Sequence, residues 1–192
     1  MPKYRFAVVC SSNQNRSMDA HSTLRKHGYN VESFGSGVCV KLPGKSIDKP
    51  VIYEFGTPYS LMYNELVNTD KNLYQTNGVL NMLERNMKIK DHPERFQTTN
   101  LQFDVIITCE ERVFDQVIQA IDEWQTDHLE IVHIVNVDIK DNFHDAFKGS
   151  QHILELCQMI EKTDDLDGNM ESILKKFAQT RKRKILHSVA FY

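Results

Sequence analysis

The 192-residue chain has only four cysteines, Cys10, Cys39, Cys109 and Cys157, with no CxxC pair and no zinc-like spacing to its eight histidines. That excludes a disulfide scaffold and a zinc finger, and it leaves reduced thiols as the expectation. Long apolar runs are missing too. Met1-Pro2-Lys3-Tyr4-Arg5 leads into an apolar segment of about five residues, too short for a signal-peptide core or a membrane span. A soluble, intracellular protein without membrane contact is expected. Basic charge is not in excess, since 23 Lys and Arg face 26 Asp and Glu for a net charge of −3. With no overall field to grip phosphate backbones, no direct nucleic-acid partner is expected, and any positive site must be local. Repeats, low-complexity tracts and a convincing domain boundary are also lacking. What is present, 41% hydrophobic and 26% charged residues, suits one globular domain over residues 1–192.

The apolar run Phe6-Ala7-Val8-Val9 predicts a strand, and Met18, Ala20 and Leu24 recur at helical spacing until Gly28. Val31-Glu32-Ser33-Phe34 alternates and stops at Gly35 and Gly37, predicting a second strand and hence a right-handed βαβ unit. Residues 38–58 carry Pro43, Pro50, Pro58, Gly44 and Gly56 and read as mostly loop. Two helices are expected over 59–90, broken at Asn77-Gly78, as a cover beside the sheet. A strand at 103–108, a helix over 113–121, a strand at 131–135, helices over 147–162 and 168–181, and a last strand at 185–189 complete the alternation. The fold class is therefore α/β, a mostly parallel central sheet flanked by helices.

The chemistry sits in Cys10-Ser11-Ser12-Asn13-Gln14-Asn15-Arg16-Ser17, a C-x5-R-S loop between a strand and a helix. The bare pattern is weak, and its placement is what sharpens it. Phosphate-ester cleavage needs a nucleophile, a cradle for anionic oxygens and a proton for the leaving group. Amides of a loop curling into a helix N-terminus supply a positive cradle, and the same field favours the thiolate of Cys10. Arg16 offers a planar fork to two phosphate oxygens, which a lysine could not. Ser17 can hydrogen-bond the sulfur when it leaves. Asn13 and Asn15 tolerate the unusual backbone angles of a tight anion loop. The bland alternative is a buried structural cysteine beside an Asn-rich turn, with Arg16 in a surface ion pair.

The proton donor is expected on a loop at the C-terminal edge of the sheet. Asp138 and Asp141 both follow the strand at 131–135, and spacing does not choose between them; either could merely cap the next helix. Glu110 and Glu111, after Cys109, read as charges at a helix start, His21 as a packed or hydrogen-bonded side chain, and Arg181-Lys182-Arg183-Lys184 as a solvated turn.

Taken with Met18-Asp19-Ala20-His21, Lys41-Leu42-Pro43-Gly44, Asp48-Lys49-Pro50, Pro93-Glu94-Arg95-Phe96-Gln97, Cys109-Glu110-Glu111-Arg112-Val113, Asn136-Val137-Asp138 and Phe191-Tyr192, this loop closely resembles the Ssu-seventy-two family across essentially the whole chain. That family comprises phosphatases of the RNA polymerase II C-terminal domain in the mRNA cleavage and polyadenylation machinery. The resemblance implies a low-molecular-weight tyrosine phosphatase-like fold with an extra helical and loop insertion over 38–100. It implies a phosphoserine-proline substrate, the fifth-position serine of the heptad with its proline in cis, and a phosphocysteine intermediate. A symplekin-type scaffold is the implied partner, the nucleus the implied location with a cytoplasmic pool compatible, and no cofactor or metal is implied. By motif, Cys10 is the nucleophile, Arg16 the phosphate binder, Asp141 the general acid and Asp138 its support. Ser11, Ser12, Asn13, Gln14 and Asn15 would contact phosphate, while Lys41, Leu42, Pro43, Gly44 and Met82 would border the peptide groove. Asp19 departs from the pattern, which has Glu there, and little consequence is expected.

Three other readings compete. A low-molecular-weight tyrosine phosphatase shares the loop and the late Asp. An arsenate reductase needs resolving cysteines near the acid loop, and none lies between 110 and 156. A phosphopeptide-binding scaffold would keep the loop without turnover.

Overall fold

The computed structural model describes residues 2–124 and 129–192. In chain order the elements are β1 (Arg5–Cys10), α1 (Arg16–Lys26), β2 (Asn30–Gly35), β3 (Val40–Ser46), β4 (Lys49–Tyr53), α2 (Tyr59–Thr76), α3 (Val79–Met87), β5 (Val105–Thr108), α4 (Glu111–Glu123), β6 (Ile131–Asn136), α5 (Phe143–Ile160), α6 (Leu166–Arg181) and β7 (Leu186–Phe191), with a short 3₁₀ turn at Phe96–Thr98. The central sheet has the order β2-β1-β5-β6-β7. Its first four strands run parallel, and β7 closes one edge antiparallel to β6.

Strand composition explains that order. Phe6, Ala7, Val8 and Val9 on β1, and Val105, Ile106 and Ile107 on β5, are completely buried. Strands covered on both faces need such continuous apolar runs, and they occupy the sheet centre. One apolar layer, with Phe6, Val8, Ile107, Val135, Ile153 and Phe177, lies under α1, α5 and α6. The opposite layer, with Ala7, Val9, Ile106, Ile134, Val113 and Val117, lies under α4. Each fully buried Val, Leu, Ile or Phe contributes about 2 kcal/mol, which fixes the sheet's faces and hence the direction of every loop at its C-terminal edge.

The stretch 38–58 is not mostly loop, because β3 and β4 form an antiparallel hairpin there. Val40 and Leu42 point inward and are buried, alternating with exposed Lys41 and Pro43. The prolines that obscure this pattern fall at a register irregularity between Leu42 and Ser46, where the missing N–H groups cost little. Gly44 belongs to the same irregularity, since a Cβ there would collide with the Lys49 carbonyl oxygen. The hairpin packs with α2 and α3 around Met18, Tyr59, Met62, Leu66 and Leu83 as a third apolar cluster. The two helices expected over 59–90 are α2 and α3, and this cluster sets them beside the start of α1. Among the described residues no helix is long and apolar enough to cross a membrane.

Candidate active site

β1 ends on Cys10, and α1 begins at Arg16, so residues 11–15 must turn the chain at the sheet edge within a short span. Asn13 makes the turn possible with φ +52°, a left-handed conformation that asparagine tolerates. Asn15, expected to share that role, has φ −110° and serves instead as the residue before the helix.

The loop carbonyls face outward and are tied back to neighbouring elements. Ser36 and Gly37 N–H groups donate to the Cys10 and Ser11 carbonyls at 2.9 Å each, and a Cβ on Gly37 would come within 2.8 Å of the Ser11 oxygen. Tyr59 Oη donates to the Asn13 carbonyl at 2.7 Å. Arg85 Nη2 and Asn86 Nδ2 donate to the Gln14 carbonyl at 2.8 and 2.9 Å. The Asp19 N–H donates to the Asn15 carbonyl at 2.9 Å. Among the described residues, the amides of 11–16 donate to no backbone or side-chain acceptor. A loop with its carbonyls tied back and its N–H groups free, set at a helix N-terminus, is an anion cradle.

Cys10 lies at the base of this cradle, 3% exposed, with its Sγ 3.0 Å from Ser17 Oγ. Asn13 Nδ2 donates to the same Ser17 oxygen at 3.1 Å and to Ser33 Oγ at 3.2 Å, and its Oδ1 accepts from the Glu94 N–H at 3.0 Å. Arg16 is 3% exposed, so the surface ion pair of the bland reading does not exist. Its Nη1 donates to Glu110 Oε2 at 2.6 Å and to the Ile139 carbonyl at 3.0 Å, and Nη2 reaches Ser11 Oγ at 3.3 Å. Nε is buried with no hydrogen-bond partner, 3.7 Å from Asp141 Oδ1. Burial opposes the charge on Arg16, but Cys10, Asp141 and Glu110 outweigh it, so the guanidinium is held charged more firmly than usual.

A cleft of about 250 Å³ opens over the thiol. Cys10, Ser11, Ser12, Gln14 and Asn15 line it from the loop, Lys41, Leu42 and Pro43 from β3, Met82 from α3, and Asp141, Asn142 and Phe143 from the segment that leads into α5. Asp141 Oδ1 accepts from Asn15 Nδ2 at 3.0 Å, which ties the acid loop to the cradle. Two of the residues expected to contact substrate do not line the cleft: Asn13 braces the loop from within, and Gly44 shapes the hairpin turn. Asp138 does not line this cleft; it lines a second hollow with Arg16, Glu110, Lys140 and Arg183, and Asp141 borders both. Asp138 Oδ1 accepts from Asn136 Nδ2 at 2.9 Å, and its carbonyl accepts from Arg183 Nη1 at 2.7 Å.

Glu110 does not cap α4 through its side chain; it anchors Arg16. His21 is buried, with Nδ1 2.8 Å from Ser33 Oγ, and burial with the nearby Lys90 and Arg25 charges lowers it to about 3. Cys109 and Cys157 are fully buried, and burial pushes both thiols well up, so they stay protonated. Among the described residues no cluster of three or more His, Cys, Asp or Glu is arranged to hold a metal. Nothing in the sequence marked Tyr59, Arg85, Asn86, Asn142 or Phe143 for the site, and Glu110 read there as a helix-start charge on the same sheet edge. For Glu110 the adjoining Cys109 at the sheet edge was a signal; for the clamp residues on α2 and α3 there was none.

Free amides, a buried arginine and a reduced thiol converging at the C-terminal edge of a parallel sheet define an α/β protein with a cysteine-headed anion loop. The chain belongs to the Ssu72 family: the family model for Ssu72-like protein matches residues 4–192. It is 54% identical over 188 residues to the Danio rerio RNA polymerase II C-terminal domain phosphatase SSU72, covering 98% of this chain and 97% of that one. Identity to the Homo sapiens protein of the same description is 51%, with the same coverage. A crystal structure of D. melanogaster Ssu72 with Symplekin, bound to a cis peptidomimetic CTD peptide phosphorylated on the fifth-position serine, shares 47% identity and superposes with a TM-score of 0.96 over 100% of both chains.

Proposed function

We propose that this chain is a protein-serine phosphatase of the RNA polymerase II C-terminal domain, with residues 1–192 as one phosphatase domain. It removes phosphate from the fifth-position serine before proline, in transcription and mRNA 3′-end processing. Its place is nuclear, with a cytoplasmic pool compatible, and its scaffold is of the symplekin type. The observation that carries this reading is Cys10 at the base of a free-amide cradle with Asp141 across the same cleft. The naming of relatives at about half identity and the phosphopeptide-bound relative support the substrate class.

The thiolate of Cys10 attacks phosphorus, the P–O bond to serine breaks, and Asp141 delivers its proton to the departing serine oxygen. Loop amides and Arg16 stabilise the equatorial oxygens as charge spreads over them. Water then attacks the phosphocysteine, Asp141 takes its proton, and the S–P bond breaks. Ser17 Oγ, 3.0 Å from the sulfur, stabilises the thiolate as it leaves. Inorganic phosphate and free enzyme result. Asp138 keeps a supporting part by holding the strand-end loop that carries Asp141.

A peptide panel tests this. Phosphoserine-proline heptads should be hydrolysed far faster than phosphotyrosine peptides, and Cys10→Ser should abolish turnover while still binding phosphopeptide. Unchanged hydrolysis by Cys10→Ser would sink the mechanism, and a preference for phosphotyrosine would replace the substrate class.

A further inference from the structure

The cleft over Cys10 mixes polar and apolar lining, and its apolar side chains are unequally available. Leu42 and Met82 line it at 1% and 5% exposure, so they are already committed to the core of the hairpin and helices. Phe143 lines the same cleft at 41% exposure. An aromatic face left open at the rim of a polar cleft is a contact surface.

Its position is fixed from two sides. Phe143 is the first residue of α5, directly after Asn142, whose side chain caps the helix by accepting the Asp145 N–H at 2.8 Å. The ring lies against Gly78, ahead of α3: a Cβ there would sit 2.7 Å from Phe143 Cε2. Gly78 also has φ +84°, so backbone and space both favour glycine. The inserted helices thus seat a ring that stands just beyond Asp141 in the chain. Phe147, 60% exposed, follows one turn later on the same helix face and prolongs the apolar stripe away from the cleft.

From this we infer that Phe143 is a specificity-determining residue that receives an apolar side chain of the substrate peptide flanking the phosphoserine, with Phe147 extending the contact. The inference rests on the phosphoserine reading above. The occupant follows from continuity: a peptide with its phosphate in the cradle must leave the cleft past a wall, and this wall offers an open aromatic face to apolar flanks. Glycine-flanked phosphoserine would find the cradle and the acid but not the ring.

The test is steady-state kinetics of the full chain on two phosphoserine-proline peptides, one with apolar residues flanking the Ser-Pro pair and one with glycines in those positions. Phe143→Ala should raise KM for the apolar-flanked peptide about ten-fold, the effect of uncovering one small apolar contact, with kcat little changed. Phe143→Leu should recover most of the loss, and Phe147→Ala should show a smaller rise. The glycine-flanked peptide should be indifferent to all three. An equal fall in kcat on both peptides would make Phe143 a support for Asp141 and overturn the inference, as would unchanged KM on both. Wild-type protein inactive on every phosphoserine peptide would instead overturn the proposed function, and this inference with it.

Discussion

Arg85 on α3 and Asp19 on α1 form an ion pair, Nη1 to Oδ2 at 2.9 Å, and the other arm of the guanidinium reaches the Gln14 carbonyl of the cysteine loop. Asp19, where the resemblance implied a glutamate, is thus part of the cradle's frame. Burial pulls the Arg85 guanidinium down from its usual value, with Asp19 opposing, so the pair is a partly desolvated one. Arg85→Ala should leave the Gln14 carbonyl short of a donor and loosen the loop. We expect kcat to fall about ten- to a hundred-fold, with stability lower by about 2 kcal/mol. Arg85→Lys should rescue poorly, because one ammonium cannot span both acceptors. Kinetics beside urea denaturation separate the two effects.

Ser17 offers a cleaner dissection. Its hydroxyl lies 3.0 Å from Cys10 Sγ and is held by Asn13 Nδ2, so Ser17→Ala removes one donor without emptying the cradle. Breakdown of the phosphocysteine should slow about a hundred-fold while its formation is less affected. Rapid-quench measurements should therefore show a burst of leaving group in the variant. A fall in the burst phase itself, with no accumulated intermediate, would remove Ser17 from that step.

Asn13 tests the backbone separately from the side chain. Asn13→Gly keeps the left-handed turn at φ +52° but loses the bonds to Ser17, Ser33 and Glu94. Asn13→Ala loses the same bonds and adds backbone strain of about 1 kcal/mol. Alanine should be the less stable of the two by about that amount in chemical denaturation. Equal stabilities would mean that the turn relaxes around the substitution.

What could be read from the sequence, and what could not, divides along contiguity. Cys10, Arg16 and Ser17 stand within one loop, so their chemistry was visible as a string. The apolar strands around them were visible as runs because each is buried on both faces. The hairpin over 40–53 was hidden because Pro43 and Pro50 mask the alternation of Val40 and Leu42. Tyr59, Arg85 and Asn86 lie 46 to 72 residues from the carbonyls they hold, and no local signal marks such partners. Glu110 shows the same limit, since at a helix start its charge has a sufficient local explanation until Arg16 is seen beside it.

His21 sets an acid limit on stability. The folded protein keeps it neutral down to about 3, through burial and the Lys90 and Arg25 charges, whereas an unperturbed histidine protonates near 6.5. Protons therefore favour the unfolded chain. This contribution is fully present above pH 6.5 and is lost as pH falls toward 3, at about 1.4 kcal/mol per pH unit within that window. Thermal midpoints measured from about pH 7 to pH 4 should drop more steeply for wild type than for His21→Asn, which can still bond Ser33. Parallel slopes would assign the acid sensitivity to other groups.

The two aspartates after β6 make opposite predictions. Both follow the same strand end, but Asn15 ties Asp141 to the cradle, while Asn136 holds the Asp138 carboxylate and Arg183 its carbonyl, away from the cleft lining. A proton donor must reach the leaving oxygen directly or through one water, and of the two aspartates only Asp141 lines the thiol cleft. Asp141→Asn should slow hydrolysis of phosphoserine peptides about a hundred- to a thousand-fold, and far less for an aryl phosphate whose leaving group needs no proton. Asp138→Asn keeps the acceptor for Asn136 and should cost less than about ten-fold, equally on both substrates. A leaving-group-dependent loss in Asp138→Asn, with Asp141→Asn fully active, would move the acid to Asp138 and require the strand-end loop to carry it into the cleft during turnover.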